Sequence, residues 1–180
     1  MRKLSVTELG RIDVEQFKKS SKLPLTIILD DVRSLYNVGS VFRTSDAFRV
    51  ERIILCGITA TPDNSLIEIH KTALGAEDSV EWIYSKDCVS VVNELNEKGY
   101  ITVAVEQVED SAKLDDFRVE KGFSYALVFG NEVKGVNQNV VDKCKLSLEI
   151  PQYGTKHSLN VSVSAGLVIW EFFRQLKDML

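Results

Sequence analysis

Short apolar runs recur along the chain at 25–29, 53–58, 81–84, 101–105, 125–129 and 146–150. They are rich in Ile, Val, Leu and Tyr, and their length suits strands buried on both faces. Between them, helical patterns cover 38–48, 65–73, 86–98, 137–143 and 159–178. A looser helical pattern carried by Leu4, Leu9, Ile12 and Phe17 runs over 5–21. Several segments carry end signals: Asn64 precedes the second core helix, Ser85 is placed to cap the third, and Gly99 follows its end. Strand and helix in alternation predict an α/β fold, a mostly parallel sheet with helices on both faces. No repeat, low-complexity run or linker interrupts the pattern, so one domain over 1–180 is expected.

In such sheets ligands bind beyond the carboxyl ends of the strands, so the segments after the apolar runs carry the chemistry. After Leu25–Leu29 comes Asp30-Asp31-Val32-Arg33-Ser34-Leu35-Tyr36-Asn37, leading into a helix on which Val38, Val41, Phe42 and Phe48 form the apolar stripe. Asn37 is placed to cap that helix. Arg43 sits about 140° from Val38 at 100° per residue, off the stripe. By geometry alone it is either a solvated surface arginine or a cation suited to a phosphate or a reacting ribose.

After Ala126–Phe129 comes Gly130-Asn131-Glu132-Val133-Lys134-Gly135. Two glycines five apart permit a tight turn and close approach of backbone. The segment matches neither the phosphate-binding loop nor the dinucleotide fingerprint. Either it is a plain turn, or Asn131, Glu132 and Lys134 hold a substrate group. After Leu146–Ile150 a polar loop runs from Pro151 through His157-Ser158-Leu159-Asn160 into the last helix, with Ser158 placed as its cap. The small residues Ser162, Ser164, Ala165 and Gly166 predict close packing of that helix, since a mid-helix glycine costs about 1 kcal/mol relative to alanine.

Composition narrows the class. Hydrophobic residues at 44% and charged residues at 27% of 180 are those of an ordinary globular chain with a substantial core. The apolar stretch 161–176 is too short and, with Glu171 and Arg174, too charged to span a bilayer. No apolar signal core follows Met1-Arg2-Lys3, so a cytoplasmic protein with no membrane contact is expected. Cys56, Cys88 and Cys144 lack metal-site spacing; free thiols and no metal are expected. The net charge is −4, awkward for a nucleic-acid partner. Residues 1–22, however, carry six cations against three carboxylates, a surplus of three that leaves the rest at −7. Arg11, Lys18 and Lys19 are thus candidates for RNA contact, or members of a solvated surface helix.

Taken together, the three loops resemble the SpoU/TrmH branch of the SPOUT methyltransferases. Asn37, Gly39, Arg43 and Thr44 match its first motif, and Gly130, Asn131, Glu132 and Gly135 its Gly-Asn-Glu-x-x-Gly motif. Ile150, Pro151, Gly154, Ser158, Leu159, Asn160, Val161, Ser162 and Gly166 match the third, and Lys71–Ala76 resembles a weaker segment between the first two. The likeness covers roughly 24–175. It implies a C-terminal trefoil knot holding S-adenosylmethionine, a fold that topology rules alone would discard. It implies RNA ribose 2′-O-methylation by a homodimer packed through the first and last core helices, with both subunits completing each site. The donor would be held by backbone around Gly130, Ile150 and Leu159, with Glu106 closing the pocket or serving as an ordinary strand-end carboxylate. Arg43 would be the catalytic arginine. Because the guanidinium stays protonated, fixing phosphate and stabilising the developing alkoxide suits it better than acting as base. Asn37, Glu132, Ser158 and Asn160 would position the hydroxyl, Arg43 and the loops. His157 is not required by the motif and reads as a surface histidine. The compact build favours tRNA over rRNA as substrate. A non-catalytic knotted RNA-binding protein, or a methyltransferase acting on a non-RNA hydroxyl, is the alternative.

Overall fold

The computed structural model describes residues 1–5 and 7–180. Seven strands form one sheet: β1 (Leu23–Asp30), β2 (Val50–Cys56), β3 (Glu81–Ser85), β4 (Ile101–Val105), β5 (Ala112–Lys113), β6 (Tyr125–Phe129) and β7 (Leu146–Glu149). Their spatial order is β3-β2-β1-β6-β4-β7-β5, and every pairing is parallel. The helices are α1 (Val14–Lys19), α2 (Leu35–Ala47), α3 (Pro62–Ala73), α4 (Ala76–Ser79), α5 (Cys88–Glu97), α6 (Gln138–Val141) and α7 (Val161–Leu176).

The parallel sheet follows from central strands buried on both faces, β1 and β6; the expectation fails at β3, an edge strand with Ile83 and Tyr84 exposed. Along β1, Ile27 and Leu29 join one core with Phe42, Ile169 and Phe172, while Ile28 joins a second with Val92 and Val140. Each fully buried side chain of this size contributes about 1.5–3 kcal/mol. Helices α2 and α7 cover the first face, α5 and α6 the second. On the first face α2 and α3 cross so closely that a Cβ at Gly39 would run into the Ile69 carbonyl and the Thr72 hydroxyl.

Local end signals mislead where a competing group lies nearby. Asp87, rather than Ser85, caps α5, accepting from the amides of Val89 and Ser90. A first turn of α3 starts at Pro62 after Thr61, where proline presets it, and a kink at Ser65 (φ −147, ψ 35) separates it from the longer stretch that the pattern after Asn64 predicts. The two-residue β5 and the single turn of α4 are too short for any period to register. Among the described residues of the leading segment only Val14–Lys19 is α-helical, with a 3-10 turn at Thr7–Leu9; position 6 of the expected helical span lies outside the described residues. A methyl group added at Gly166 would meet nothing within 4 Å, so the close packing expected there does not occur within the chain. All three cysteines are free, Cys56 and Cys88 fully buried. No helix among the described residues is long and apolar enough to cross a membrane.

Candidate active site

The carboxyl ends of β4, β6 and β7 open onto a cleft of about 690 Å³. Val105, Phe129, Leu148 and Val161 give it apolar walls. Glu106, Gly130, Ile150 and Leu159, the four expected donor-binding positions, all line it, as do Glu132, Ser158 and Asn160. Asn37 and Arg43 do not.

The loop after β6 is a tight turn in which Asn131 and Gly135 exchange backbone hydrogen bonds of 3.0 and 2.9 Å. Gly135 has φ +69, and a Cβ there would strike the Glu106 carboxylate. At Gly130 a Cβ would strike the backbone of Gly135 and Val136. Both glycines are therefore required by the turn itself. Glu106 holds this turn from the β4 end: its Oε2 accepts from the Val136 amide at 2.9 Å and its Oε1 from the Gln107 amide at 2.9 Å. Asn131 anchors the other side. Its side-chain amide donates to the Asp31 carbonyl at 2.8 Å, and its Oδ1 accepts from the amides of Val133 and Lys134.

Glu132 reaches from this loop to the start of α2. Oε1 accepts from the Ser34 amide at 2.9 Å and from the Asn37 side chain at 3.0 Å; Oε2 accepts from the Arg33 amide at 3.1 Å. Burial alone would raise its pKa, but the amides of Ser34 and Arg33 and the Asn37 side chain outweigh it and hold the carboxyl below its usual range. Asn37 in turn accepts from Asn160 Nδ2 at 3.2 Å. Asn160 Oδ1 caps α7, accepting from the amides of Ser162 and Val163. Glu132, Asn37 and Asn160 thus form one continuous chain of side chains tying the three loops together.

Two expected caps are corrected by this network. Asn37 lies inside α2, whose cap is Ser34; Asn160, not Ser158, caps α7. Asn37 and Ser158, the two expected caps, each lie within one turn of the actual ones, Ser34 and Asn160, within the usual uncertainty of a boundary. Ser158 is exposed on the cleft wall. Asp31 and Gln107 are additions that the sequence motifs do not single out. Asp31 takes a left-handed φ of 55 and accepts from the Ile58 amide at 2.9 Å; Gln107 donates to the His157 carbonyl across the cleft at 2.9 Å. An aspartate just past a strand end is the available signal for the first; nothing local marks the second.

Arg43 lies on the outer stripe of α2, exposed, with Tyr36 two turns earlier at 52% exposure. Helix α7, which packs against α2, exposes Val163 at 50%, Leu167 at 43% and Trp170 at 49%. Trp170 packs edge-on to Phe48, ring centroids 5.5 Å apart, and only part of the indole is covered by its own chain. Arg11, Lys18 and Lys19 are exposed and lie outside the cleft lining.

The model of the SpoU rRNA methylase family matches residues 24–170. The chain belongs to this family of RNA methyltransferases. Among its relatives is the 23S rRNA (guanosine-2′-O-)-methyltransferase RlmB of Neisseria meningitidis, 33% identical over 160 residues, covering 86% of this chain and 60% of that protein. Among solved structures, the TrmH/SpoU tRNA modifying enzyme of A. aeolicus superposes with a TM-score of 0.80 at 25% identity, over 92% of this chain and 82% of that one. The AdoMet-bound rRNA methyltransferase of Sinorhizobium meliloti superposes with a TM-score of 0.77 at 26% identity, over 88% and 62% of the two chains. The SpoU/TrmH resemblance and the α/β architecture expected from the loops and the apolar runs both hold.

Proposed function

We propose that the chain transfers a methyl group from S-adenosylmethionine to the ribose 2′-hydroxyl of an RNA nucleotide, with tRNA as the substrate, as a cytoplasmic homodimer with a knotted C-terminal segment. The observation that carries this reading is the cleft at the strand ends, closed by the Glu132–Asn37–Asn160 network. Its volume of about 690 Å³ lies within the range of small-molecule sites. Apolar walls at Phe129, Leu148 and Val161 suit a purine, and Gly130, Ile150 and Leu159 line the cleft where their main chain would meet its edge. S-adenosylmethionine, bound in the S. meliloti relative, brings the activated methyl group. The ribose 2′-oxygen is supported by the RlmB relative. The tRNA substrate is supported by the match over 82% of the A. aeolicus tRNA enzyme, though RlmB keeps rRNA as the second reading.

The homodimer is supported by where Arg43 lies. It is absent from the cleft wall of its own chain and lies exposed on α2 with Tyr36, while α7, packed against α2, leaves Val163, Leu167 and Trp170 uncovered. A twofold contact through this face delivers Arg43 toward the partner's cleft and covers Trp170. There the guanidinium fixes the backbone phosphate and stabilises the oxyanion as the 2′-hydroxyl loses its proton. Asn37 and Glu132 hold the start of α2, and with it Arg43, in place.

Nucleoside mass spectrometry of tRNA and rRNA from cells lacking the protein tests the reading. Loss of one 2′-O-methylated nucleoside from tRNA is expected. Loss from rRNA alone would move the substrate, and no loss from either, with no transfer by purified protein, would favour the non-catalytic alternative. A monomer by sedimentation at micromolar concentration, with transfer retained, would remove the dimer.

A further inference from the structure

A second cavity, of about 790 Å³, lies beyond the ends of β1 and β2, on the far side of the turn after β6. Residues 133–136 of that turn line both cavities, so the two share a wall. Its lining is chemically sorted. Arg33 and Lys134 are exposed cations that enter no ion pair among the described residues. Ile58 and Val133 are aliphatic side chains exposed at 65% and 83%. Asp30, only 6% exposed, contributes the deep carboxylate, with one hydrogen bond of 3.4 Å from the Asn137 amide. Burial pushes the Asp30 carboxyl up.

We propose that this cavity seats a nucleotide of the RNA next to the acceptor, its phosphate on Arg33 and Lys134 and its base between Ile58 and Val133 with an amino or imino edge toward Asp30. This rests on the RNA methyltransferase reading of the neighbouring cleft. The orientation follows from charge. A phosphate is repelled from Asp30 and attracted to the two cations, whereas an amino or imino hydrogen of a base can take acceptor sites of the carboxyl that the long contact from the Asn137 amide leaves open. The aliphatic pair offers the apolar contact that an unstacked base seeks in single-stranded RNA recognition. The location follows from adjacency: the two cavities share the turn, so a strand whose ribose is held at the donor cleft can reach this one across it. The proposal also addresses the net charge of −4, because an acidic chain binds RNA only through a local surplus of unpaired cations.

The experiment uses the full chain with S-adenosylmethionine, and unfractionated tRNA and ribosomal RNA as probes. Arg33→Ala is the clean variant, since Arg33 lines this cavity and not the donor cleft. Its RNA affinity should fall about tenfold, and the slope of log affinity against log salt should flatten by about 0.7–0.9, the value for one phosphate contact. Donor affinity, read by calorimetry, should equal that of wild type. Ile58→Ala should weaken RNA binding without changing the salt slope, the mark of a base contact. Wild-type affinity and slope in Arg33→Ala would overturn the cavity proposal while leaving the methyltransferase reading intact. A wild-type chain that binds the donor but neither binds nor methylates either RNA would overturn both.

Discussion

The leading segment and the loops at the strand ends are both polar and charged in sequence, and the folded chain treats them in opposite ways. In the leading segment several of the cations are satisfied by their own neighbours. Arg2 forms a two-pronged contact with Glu8, Lys19 pairs with Glu15 four residues back at 3.2 Å, and the Lys22 ammonium donates to the carbonyls of Phe17 and Ser20. The surplus of three positive charges remains, since Glu8 and Glu15 are already counted in it, but Arg2, Lys19 and Lys22 are engaged within the segment. At the strand ends the polar groups converge across long sequence distances, 95 residues from Asn37 to Glu132 and 123 from Asn37 to Asn160. The cations there, Arg33, Arg43 and Lys134, are left without ion pairs among the described residues. A count of charges along a chain thus says little about which charges are available to a partner.

The largest effect that would sharpen this contrast is expected at Arg43. Arg43→Ala should lower single-turnover transfer by about 10²–10³-fold or more, the cost of removing one group that stabilises a developing oxyanion. Donor affinity should stay close to wild type, because Arg43 is assigned to the phosphate and the ribose oxygen and not to the donor. Arg43→Lys should fail as well, since an ammonium cannot grip phosphate and oxygen together in a planar fork. Single-turnover methyl transfer to tRNA with each variant decides it, and near-wild-type rates would move the chemistry to another group.

Glu132 comes next. Its three hydrogen bonds join the second loop to α2, so Glu132→Gln should cost about 1 kcal/mol of stability after allowing for its exposure. It should also reduce transfer, by loosening the helix that carries Arg43. The pH dependence has a definite sign. The carboxyl is held below its usual value in the folded chain, so its contribution is fully present above the ordinary carboxylate range. It is lost as the pH falls through the depressed folded value. Denaturant unfolding of wild type and Glu132→Gln between pH 7 and pH 3 should show the gap between them closing toward acid. A gap that is constant with pH would mean the carboxylate charge contributes nothing.

The contrast also separates what is readable in the sequence from what is not. The strands are legible because β1, β6 and β7 are short apolar runs closed by Asp30, Gly130 and Pro151. The cleft residues are legible through the family resemblance and not through spacing alone, which leaves the turn of Gly130, Glu132 and Gly135 open to a plain structural reading. The roles within that set are less so. Asn37 and Ser158 look like caps because each stands just before an apolar helical stretch, yet Glu132 takes Asn37 for a contact formed only on folding. Gln107 and Asp31 act through partners 50 and 27 residues away, distances over which no local pattern runs. Neither the second cavity nor the uncovered face of α2 and α7 leaves any mark on periodicity, because each is assembled from residues of separate elements.

The smallest effect is expected in the leading segment, and it is the one most able to reverse the comparison. Lys18 is exposed and unpaired among the described residues, while Lys19 is matched by Glu15. Replacing both by alanine removes one available cation and one that is already partly neutralised, and it frees a carboxylate that repels RNA. RNA affinity should therefore fall by only a few-fold, with the salt slope flattening by no more than about 0.9, one phosphate contact at most. The rate at saturating RNA reports on the cleft and should not follow this loss. Fluorescence titration of tRNA at several salt concentrations, run beside Arg33→Ala, makes the measurement. If the Lys18→Ala, Lys19→Ala variant loses more affinity and more slope than Arg33→Ala, the leading segment is the principal RNA contact despite its internal pairing. The strand-end cations would then serve the chemistry rather than the grip on RNA.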